Sequence, residues 1–126
     1  MKEFKDSIEQ DTLDNSNFRK VLFTATHLQL ALMTLKPGED IGMETHDSTD
    51  QFIRVEDGKG VAYINGHEYP LRPGDAVIVP QGSEHNIVNT SKVRDLKIYT
   101  VYSKPMHPDL VVEATKAIAI SNELKK

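Results

Sequence analysis

The feature that most constrains the fold is a series of short β-forming runs between residues 23 and 102. These runs are rich in Val, Ile, Thr, Tyr and Phe, and Gly, Pro, Asn or Asp residues separate them. Runs of this composition at close and even spacing are typical of strands joined by tight turns. Many short strands in one chain favour a sandwich or a closed barrel, because closure removes exposed strand edges. We therefore predict an all-β chain with a barrel over residues 21–103.

Several runs give definite local predictions. Residues 27–35 are apolar on both faces and are followed by a Pro-Gly turn, which predicts a long buried strand. The run 51–56 alternates, and Gln51 shares a face with its apolar residues, so Gln51 is predicted to point into the barrel. Asn65-Gly66 is the dipeptide that best tolerates two positive φ angles, so we expect a type I′ hairpin there.

The two ends of the chain differ from this middle region. Residues 1–20 are mostly charged or polar, which predicts a short helix or an arm lying on the barrel, and the arm could also cross to a second subunit. Residues 104–126 are predicted to be a connector followed by a helix over 114–126, where helix formers occur without Gly or Pro. The expected apolar stripe of this helix contains Ala117, Ile118, Ile120 and Leu124.

Composition excludes several classes of function. A chain of 126 residues has room for one core of moderate size, so we expect a single domain. The formal net charge is −4 and no basic stretch is present, which argues against nucleic-acid binding. No segment reaches the about 20 apolar residues of a membrane span, and the N-terminus lacks the apolar core of a signal peptide, so we expect a soluble, cytoplasmic protein without a membrane partner. Cysteine is absent, so a metal ion would need nitrogen and oxygen ligands.

A first group of candidate ligands begins at Glu44. Glu44 and His46 are two residues apart, and in an extended strand both side chains point to the same face. A carboxylate and an imidazole are good ligands for a divalent metal ion, although a surface pair at a polar turn would have the same sequence. Gln51 opens the next run and would lie beside this pair if the strand returned antiparallel. Gln51 could equally orient a ligand or a metal-bound water without binding the metal itself. Asp50 is its rival, but Asp50 would need a bulge or a change in turn length to face the same way.

A second group of residues surrounds His85. The run 76–79 ends at Pro80-Gln81-Gly82, and His85 and a further strand follow. This order predicts that a turn at the rim of the barrel delivers His85, where it would be the fourth metal ligand. The alternative is a turn histidine that caps a backbone carbonyl.

The two groups resemble the two motifs of the cupin superfamily. The first motif is Gly, five residues, His-x-His, three or four residues, Glu, six residues and Gly. This sequence has its spacing from Gly38 to Gly58, with Glu44 in place of the first His and Gln51 in place of the Glu. The second motif is matched throughout by Gly74, Pro80, Gly82, His85 and Asn89. The chain is similar to small single-domain cupins often described as resembling mannose-6-phosphate isomerase.

This resemblance implies a double-stranded β-helix, or jelly roll, with one metal ion inside the barrel and a small molecule at its open end. The ligands would be Glu44, His46, Gln51 and His85. One carboxylate among neutral donors leaves a divalent ion with a single positive charge, and Mn, Fe, Ni and Zn all fit such a set. An amide is a weaker ligand than a carboxylate, so the metal is expected to exchange readily. Without clustered Lys or Arg near the motifs, isomerase activity on mannose 6-phosphate is not expected.

Two functions follow from an open coordination position. The first is a metal-dependent enzyme that acts on a small polar molecule, by isomerisation or epimerisation or by oxygen chemistry. The second is a non-catalytic module that binds or senses a small molecule with the metal as an anchor. A structural cupin without a metal is a third possibility. We also predict a homodimer, because the long strand over residues 27–35 would leave an edge that needs covering.

The other histidines receive separate predictions. His27 lies in the long apolar run and is predicted to be a satisfied core or interface residue. His67 follows the hairpin turn and should be exposed. His107 lies between two prolines, in a segment that is either a simple connector or a lid over the mouth of the barrel.

Overall fold

A computed structural model describes residues 1–125 as two antiparallel sheets with a short helix near each end of the chain. The helices are α1 (Ile8–Asp14) and α2 (Lys116–Leu124). The strands are β1 (Arg19–Thr24), β2 (Gln29–Leu35), β3 (Glu44–Thr45), β4 (Asp50–Asp57), β5 (Gly60–Ile64), β6 (His67–Leu71), β7 (Ala76–Val79), β8 (Glu84–Asn89), β9 (Leu96–Ser103) and β10 (Val112–Glu113). Neither helix in the described part of the chain is long and apolar enough to cross a membrane.

The strands form the jelly roll that the sequence predicts. Six strands make one sheet in the order β10-β1-β2-β9-β4-β7, and four make the other in the order β3-β8-β5-β6. The core between the sheets is apolar at its centre, because alternate residues of each strand point inward. Its fully buried side chains include Met33, Leu35, Ile53, Val55, Ile87, Leu96 and Ile98.

One end of the barrel interior is polar instead. Gln29, Tyr102 and Gln51 are partners across β2, β9 and β4, so their side chains form one row on the inner face of the six-stranded sheet. All three residues are at most 4% exposed. Buried polar side chains need hydrogen-bond partners or a ligand, so this end of the barrel is where a site is expected.

The hairpin and one of the histidines are as predicted. Asn65 and Gly66 have φ angles of 50° and 83° and join β5 to β6, and His67 beyond them is exposed. The prediction for His27 is wrong, because β2 begins only at Gln29 and His27 is exposed in the turn before it.

Gly58 shows why one motif glycine is required. Its φ is +87°, a conformation that side chains rarely adopt, and a Cβ at this position would overlap the backbone of Asp95 and Leu96. Gly58 therefore allows the turn after β4 to pack against the start of β9.

The C-terminal helix packs differently from the prediction. Thr115 caps its start, where the Thr115 Oγ1 accepts a hydrogen bond from the Ile118 backbone at 3.2 Å. Apolar contact with the barrel core runs through Ala119, which is 8% exposed. The predicted stripe is wrong, because Ile118, Ile120 and Leu124 are exposed. The predicted end of the helix at Lys126 lies outside the described residues.

The strand over residues 29–35 does not form a sheet edge. β2 lies between β1 and β9, and the edges of its sheet are β10 and β7. The reason that the sequence suggested for a dimer is therefore wrong, and the dimer itself stays a prediction.

Candidate functional site

Glu44, His46 and His85 meet on the four-stranded sheet. β3 pairs with β8, and Glu44 is the direct partner of His85. The Glu44 Oε2 lies 3.6 Å from the His46 Nε2, and the His46 and His85 rings have centroids 5.0 Å apart. His85 lies within β8 and is only 1% exposed, so the prediction that a rim turn delivers it is wrong. The turn ends earlier, at Gly82 and Ser83, and places His85 inside the barrel.

A backbone contact fixes the orientation of the His85 ring. The His85 Nδ1 lies 3.0 Å from the Ser83 carbonyl oxygen. A carbonyl only accepts hydrogen bonds, so Nδ1 carries the proton and donates it. The neutral ring then has its lone pair on Nε2, which is the form and the atom that bind a metal ion.

Gln51 lies on the opposite wall, so the antiparallel pairing that would bring it beside Glu44 and His46 within one sheet does not occur. β4 belongs to the six-stranded sheet, and the short segment of residues 47–49 crosses from one sheet to the other. The Gln51 Nε2 donates to the Thr100 Oγ1 at 2.9 Å, whereas the Gln51 Oε1 is buried without a hydrogen-bond partner. Its rival Asp50 is exposed and accepts a bond from the Gln81 backbone at 2.8 Å.

Burial controls the charge of the site. It raises the pKa of Glu44, and the electrostatic interactions of Glu44 with Arg19 and His85 oppose this rise in part. Burial also lowers the pKa of His46, and His85 and Arg19 lower it further. His46 is therefore biased toward the neutral imidazole.

The donor atoms at this end of the barrel suit a divalent metal ion of the borderline class. Among residues 1–125, no group of three or more His, Cys, Asp or Glu side chains is arranged to hold a metal ion. Gln51 adds an amide oxygen from the facing sheet, and this buried oxygen has no protein partner. Two imidazole nitrogens, a carboxylate and an unsatisfied amide oxygen fit such an ion chemically.

A cavity of about 490 Å³ at the mouth of the barrel is lined in part by Glu44 and His46. We call it the mouth cavity. Its polar lining includes Arg19, Glu44, His46, His107, Lys116 and Glu123. The segment that carries His107 therefore borders the mouth of the barrel.

Gln29 holds this segment in place. It is completely buried, and its Nε2 donates to the His107 carbonyl oxygen at 2.7 Å. Its Oε1 accepts from the Met106 and His107 backbone at 3.0 and 2.9 Å. Both ends of one amide therefore fasten the chain across the end of β2.

Sequence reasoning missed Arg19, which lies at the start of β1 and is 9% exposed. Its Nη1 donates to the Glu113 Oε1 at 2.6 Å, and Asn122 of α2 donates to the Glu113 Oε2 at 2.9 Å. Burial raises the pKa of the Tyr102 phenol, and the positive charge of Arg19 opposes this rise in part. In β1, Arg19 and Val21 are buried on the inward face and Lys20 between them is exposed. This alternation is the signal that could have identified Arg19.

Comparison with known proteins gives a consistent family. Residues 31–102 match the Cupin domain family. The uncharacterized protein YrkC of Bacillus subtilis is 39% identical over 97% of this chain and 68% of its own length. The crystal structure of BH2720 from Bacillus halodurans has a TM-score of 0.93 and 40% identity, and the match covers 95% of both chains. The oxalate-binding protein of Thermotoga maritima is 32% identical over 56% of this chain and 58% of its own.

The chain spans about two thirds of the length of YrkC and about half to two thirds of the length of the oxalate-binding protein. The family match nevertheless covers more than half of this chain and contains β2 to β9 apart from the first two residues of β2 and the last residue of β9. Both the sheet order and the matched residues lead to one conclusion: this chain belongs to the Cupin domain family.

Proposed function

We propose that this cupin binds one divalent metal ion through Glu44, His46, Gln51 and His85, and binds a small polar molecule in the mouth cavity. The observation that carries the proposal is the buried Gln51 Oε1, which has no hydrogen-bond partner. A buried unsatisfied acceptor costs roughly 1–3 kcal/mol. A cation held between the two sheets would give this oxygen its partner.

The charges support the same assignment. Glu44 would be the anionic ligand, and the imidazoles of His46 and His85 would bind as neutral donors. The lowered pKa of His46 favours that form, and the Nδ1 contact of His85 leaves its Nε2 as the atom that would bind the metal. Mn, Fe, Ni and Zn are the candidate metals, held weakly enough to exchange because one ligand is an amide.

Such a site is suited to an isomerase-like, epimerase-like or oxygenase reaction. When bound, the metal would supply a Lewis acid that polarises a carbonyl group, or a binding position for O₂. The chain contributes the enclosing cavity and the buried phenol of Tyr102, whose raised pKa keeps the proton on its oxygen. His107 and Lys116 border the space where a substrate would lie. The finer similarity to mannose-6-phosphate-isomerase-like cupins remains part of this proposal.

A non-catalytic binding function is the second candidate. The name of the Thermotoga maritima relative, an oxalate-binding protein, favours it. Tight binding of a metabolite by metal-loaded protein without turnover would distinguish it from an enzyme. We also expect a cytoplasmic homodimer with no nucleic-acid or membrane partner, and light scattering of the purified protein would test the dimer.

Elemental analysis tests the metal site. The protein is purified without a tag or nickel resin, beside Glu44→Ala, His85→Ala and the control His67→Ala, and folding is checked by circular dichroism. We expect near-stoichiometric Mn, Fe, Ni or Zn in the parent and in His67→Ala, because His67 is an exposed hairpin residue. Both site variants should lose the metal. A folded parent that contains no metal and takes up none of the four would refute the proposal.

A further inference from the structure

Arg19 is a buried cation with an unused donor. The side chain is 10% exposed, and its Nε is buried with no hydrogen-bond partner. A guanidinium has five N–H donors, and Nη1 donates to Glu113. Burying a guanidinium is costly, and an unpaired donor adds to that cost, so stability alone does not account for Arg19.

The surroundings of Arg19 hold it in one place. Its direct partner on β10 is Glu113, whose second oxygen accepts from Asn122. The guanidinium carbon also lies 5.3 Å from the centre of the Phe18 ring. A fixed guanidinium plane is the arrangement that binds a carboxylate with two hydrogen bonds.

The mouth cavity places Arg19 beside the proposed metal ligands. Glu44 and His46 line this cavity together with Arg19, and Lys116 lies on the wall that α2 supplies. Lys116 forms an ion pair with Asp40, and Arg19 forms one with Glu113, so each cation already has a counter-ion. An anion in the mouth cavity would be recognised by the part of the Arg19 guanidinium that borders this cavity, together with the positive charge of the proposed metal centre.

We propose that Arg19 binds the carboxylate of a small organic acid in the mouth cavity, with another oxygen of the acid turned toward the metal site. This inference rests on the proposed function for the second contact only. A cavity of about 490 Å³ accommodates an acid of a few carbon atoms. Arg19 is thus assigned as the residue that selects an anion over a neutral molecule of the same shape.

Calorimetric titration of the metal-loaded parent with acetate, oxalate, malonate and pyruvate tests the assignment, with oxamide as the neutral counterpart of oxalate. Arg19→Lys keeps the charge but loses the planar fork. Arg19→Gln with Glu113→Gln removes both charges and leaves no buried ion alone. Arg94→Gln is the matched control, because it removes one cation from an exposed pair with Asp57. The metal content of every variant is measured before titration.

At least one acid should bind the parent, and oxalate should bind more tightly than oxamide. Loss of charge-assisted hydrogen bonds should weaken binding of that acid about ten- to a hundredfold in both Arg19 variants, with no change in Arg94→Gln. The preference for oxalate over oxamide should shrink in the same variants.

Two results would overturn the inference: no binding of any of the four acids, or equal binding by the parent and both Arg19 variants at equal metal content. Neither result would contradict the proposed metal site. A parent that takes up no metal refutes the proposed function instead. The same titrations on metal-free protein then decide the role of Arg19, since binding that depends on Arg19 would support it and its absence would refute it.

Discussion

Gln51 and Tyr102 lie directly opposite each other on β4 and β9, where they form the polar end of an otherwise apolar barrel interior. Thr100, two residues before Tyr102, accepts the hydrogen bond of the Gln51 amide. This bond leaves the Gln51 Oε1 as the unsatisfied atom. The sheet register thus decides which atom of Gln51 is available to a ligand.

Gln51→Glu is expected to bind metal more tightly, by about tenfold or more, because a carboxylate is a stronger ligand than an amide for these ions. The Thr100 hydroxyl can donate to the new carboxylate, so the fold should survive. Gln51→Leu should lose affinity. Competition with a fluorescent chelator measures both, and Asp50→Asn is the control because Asp50 is exposed. Unchanged affinity in both Gln51 variants would remove Gln51 from the ligand set.

Removing one partner of the Arg19–Glu113 pair should be strongly destabilising. Glu113→Leu leaves a buried guanidinium without its counter-ion, and the expected loss in the free energy of unfolding is roughly 3–5 kcal/mol. Arg19→Met combined with Glu113→Leu should recover much of that loss, because no unpaired charge remains. Urea unfolding measures all three proteins. The exposed Arg94–Asp57 pair is the comparison, and Asp57→Asn should cost less than about 1 kcal/mol. A double variant as unstable as Glu113→Leu would contradict this account.

Gln29→Leu should release the segment that borders the mouth cavity. The substitution removes the acceptor of the Met106 and His107 backbone groups and the donor to the His107 carbonyl. Leaving such groups unpaired costs roughly 1–3 kcal/mol. Hydrogen exchange at the Met106 and His107 amides should accelerate, while the amides of β9 should keep their protection. Equal acceleration in β9 would mean that the variant unfolds globally, and unchanged exchange at both amides would show that Gln29 does not hold the segment.

Ionised Asp40 should make a small, pH-dependent contribution to the free energy of unfolding. Hydrogen bonds from Lys116 and Asn86 hold the pKa of Asp40 below its ordinary value of 3.8. A carboxylate with a depressed folded pKa stabilises the fold above its unfolded pKa, and this contribution disappears as the pH falls through the lowered value. Asp40 is partly exposed, so the effect should stay under about 1 kcal/mol.

Urea midpoints of the parent and Asp40→Asn, compared at pH 7 and pH 3, measure this term. The difference between the two proteins should be larger at pH 7, where Asp40 is ionised in both the folded and the unfolded chain. Lys116→Met should remove most of the same difference. A difference that grows as the pH falls would have the wrong sign for this mechanism.

Sequence reasoning succeeded where the signal was local. The alternation around Gln51 predicted an inward side chain, and Asn65-Gly66 predicted the hairpin, because strand period and turn conformation depend on neighbouring residues. The separate placement of Gln51 and Glu44 on facing sheets depends on pairing between β3 and β8, which residue spacing does not encode. His85 was assigned to a rim turn because the length of a turn before a strand is hard to read from sequence.

Arg19 and Lys116 were missed for a related reason. Each is an ordinary charged residue in its own segment, and they line one cavity only after β10 has joined β1 and α2 has docked through Ala119. The apolar stripe expected in the C-terminal helix followed helical periodicity. The apolar contact of this short helix with the core is the small residue Ala119, so its larger apolar side chains are exposed.

The pairing of β1 with β10 also orders events during synthesis. Arg19 and Glu113 are separated by 94 positions, so the ribosome completes every strand of the barrel from β1 to β9 before it adds the counter-ion of Arg19. A nascent chain that has emerged only as far as Ser103 already contains Glu44, His46, Gln51 and His85. It lacks the wall that α2 gives to the mouth cavity. The proposed metal ligands are therefore synthesised before the residues that complete the mouth cavity.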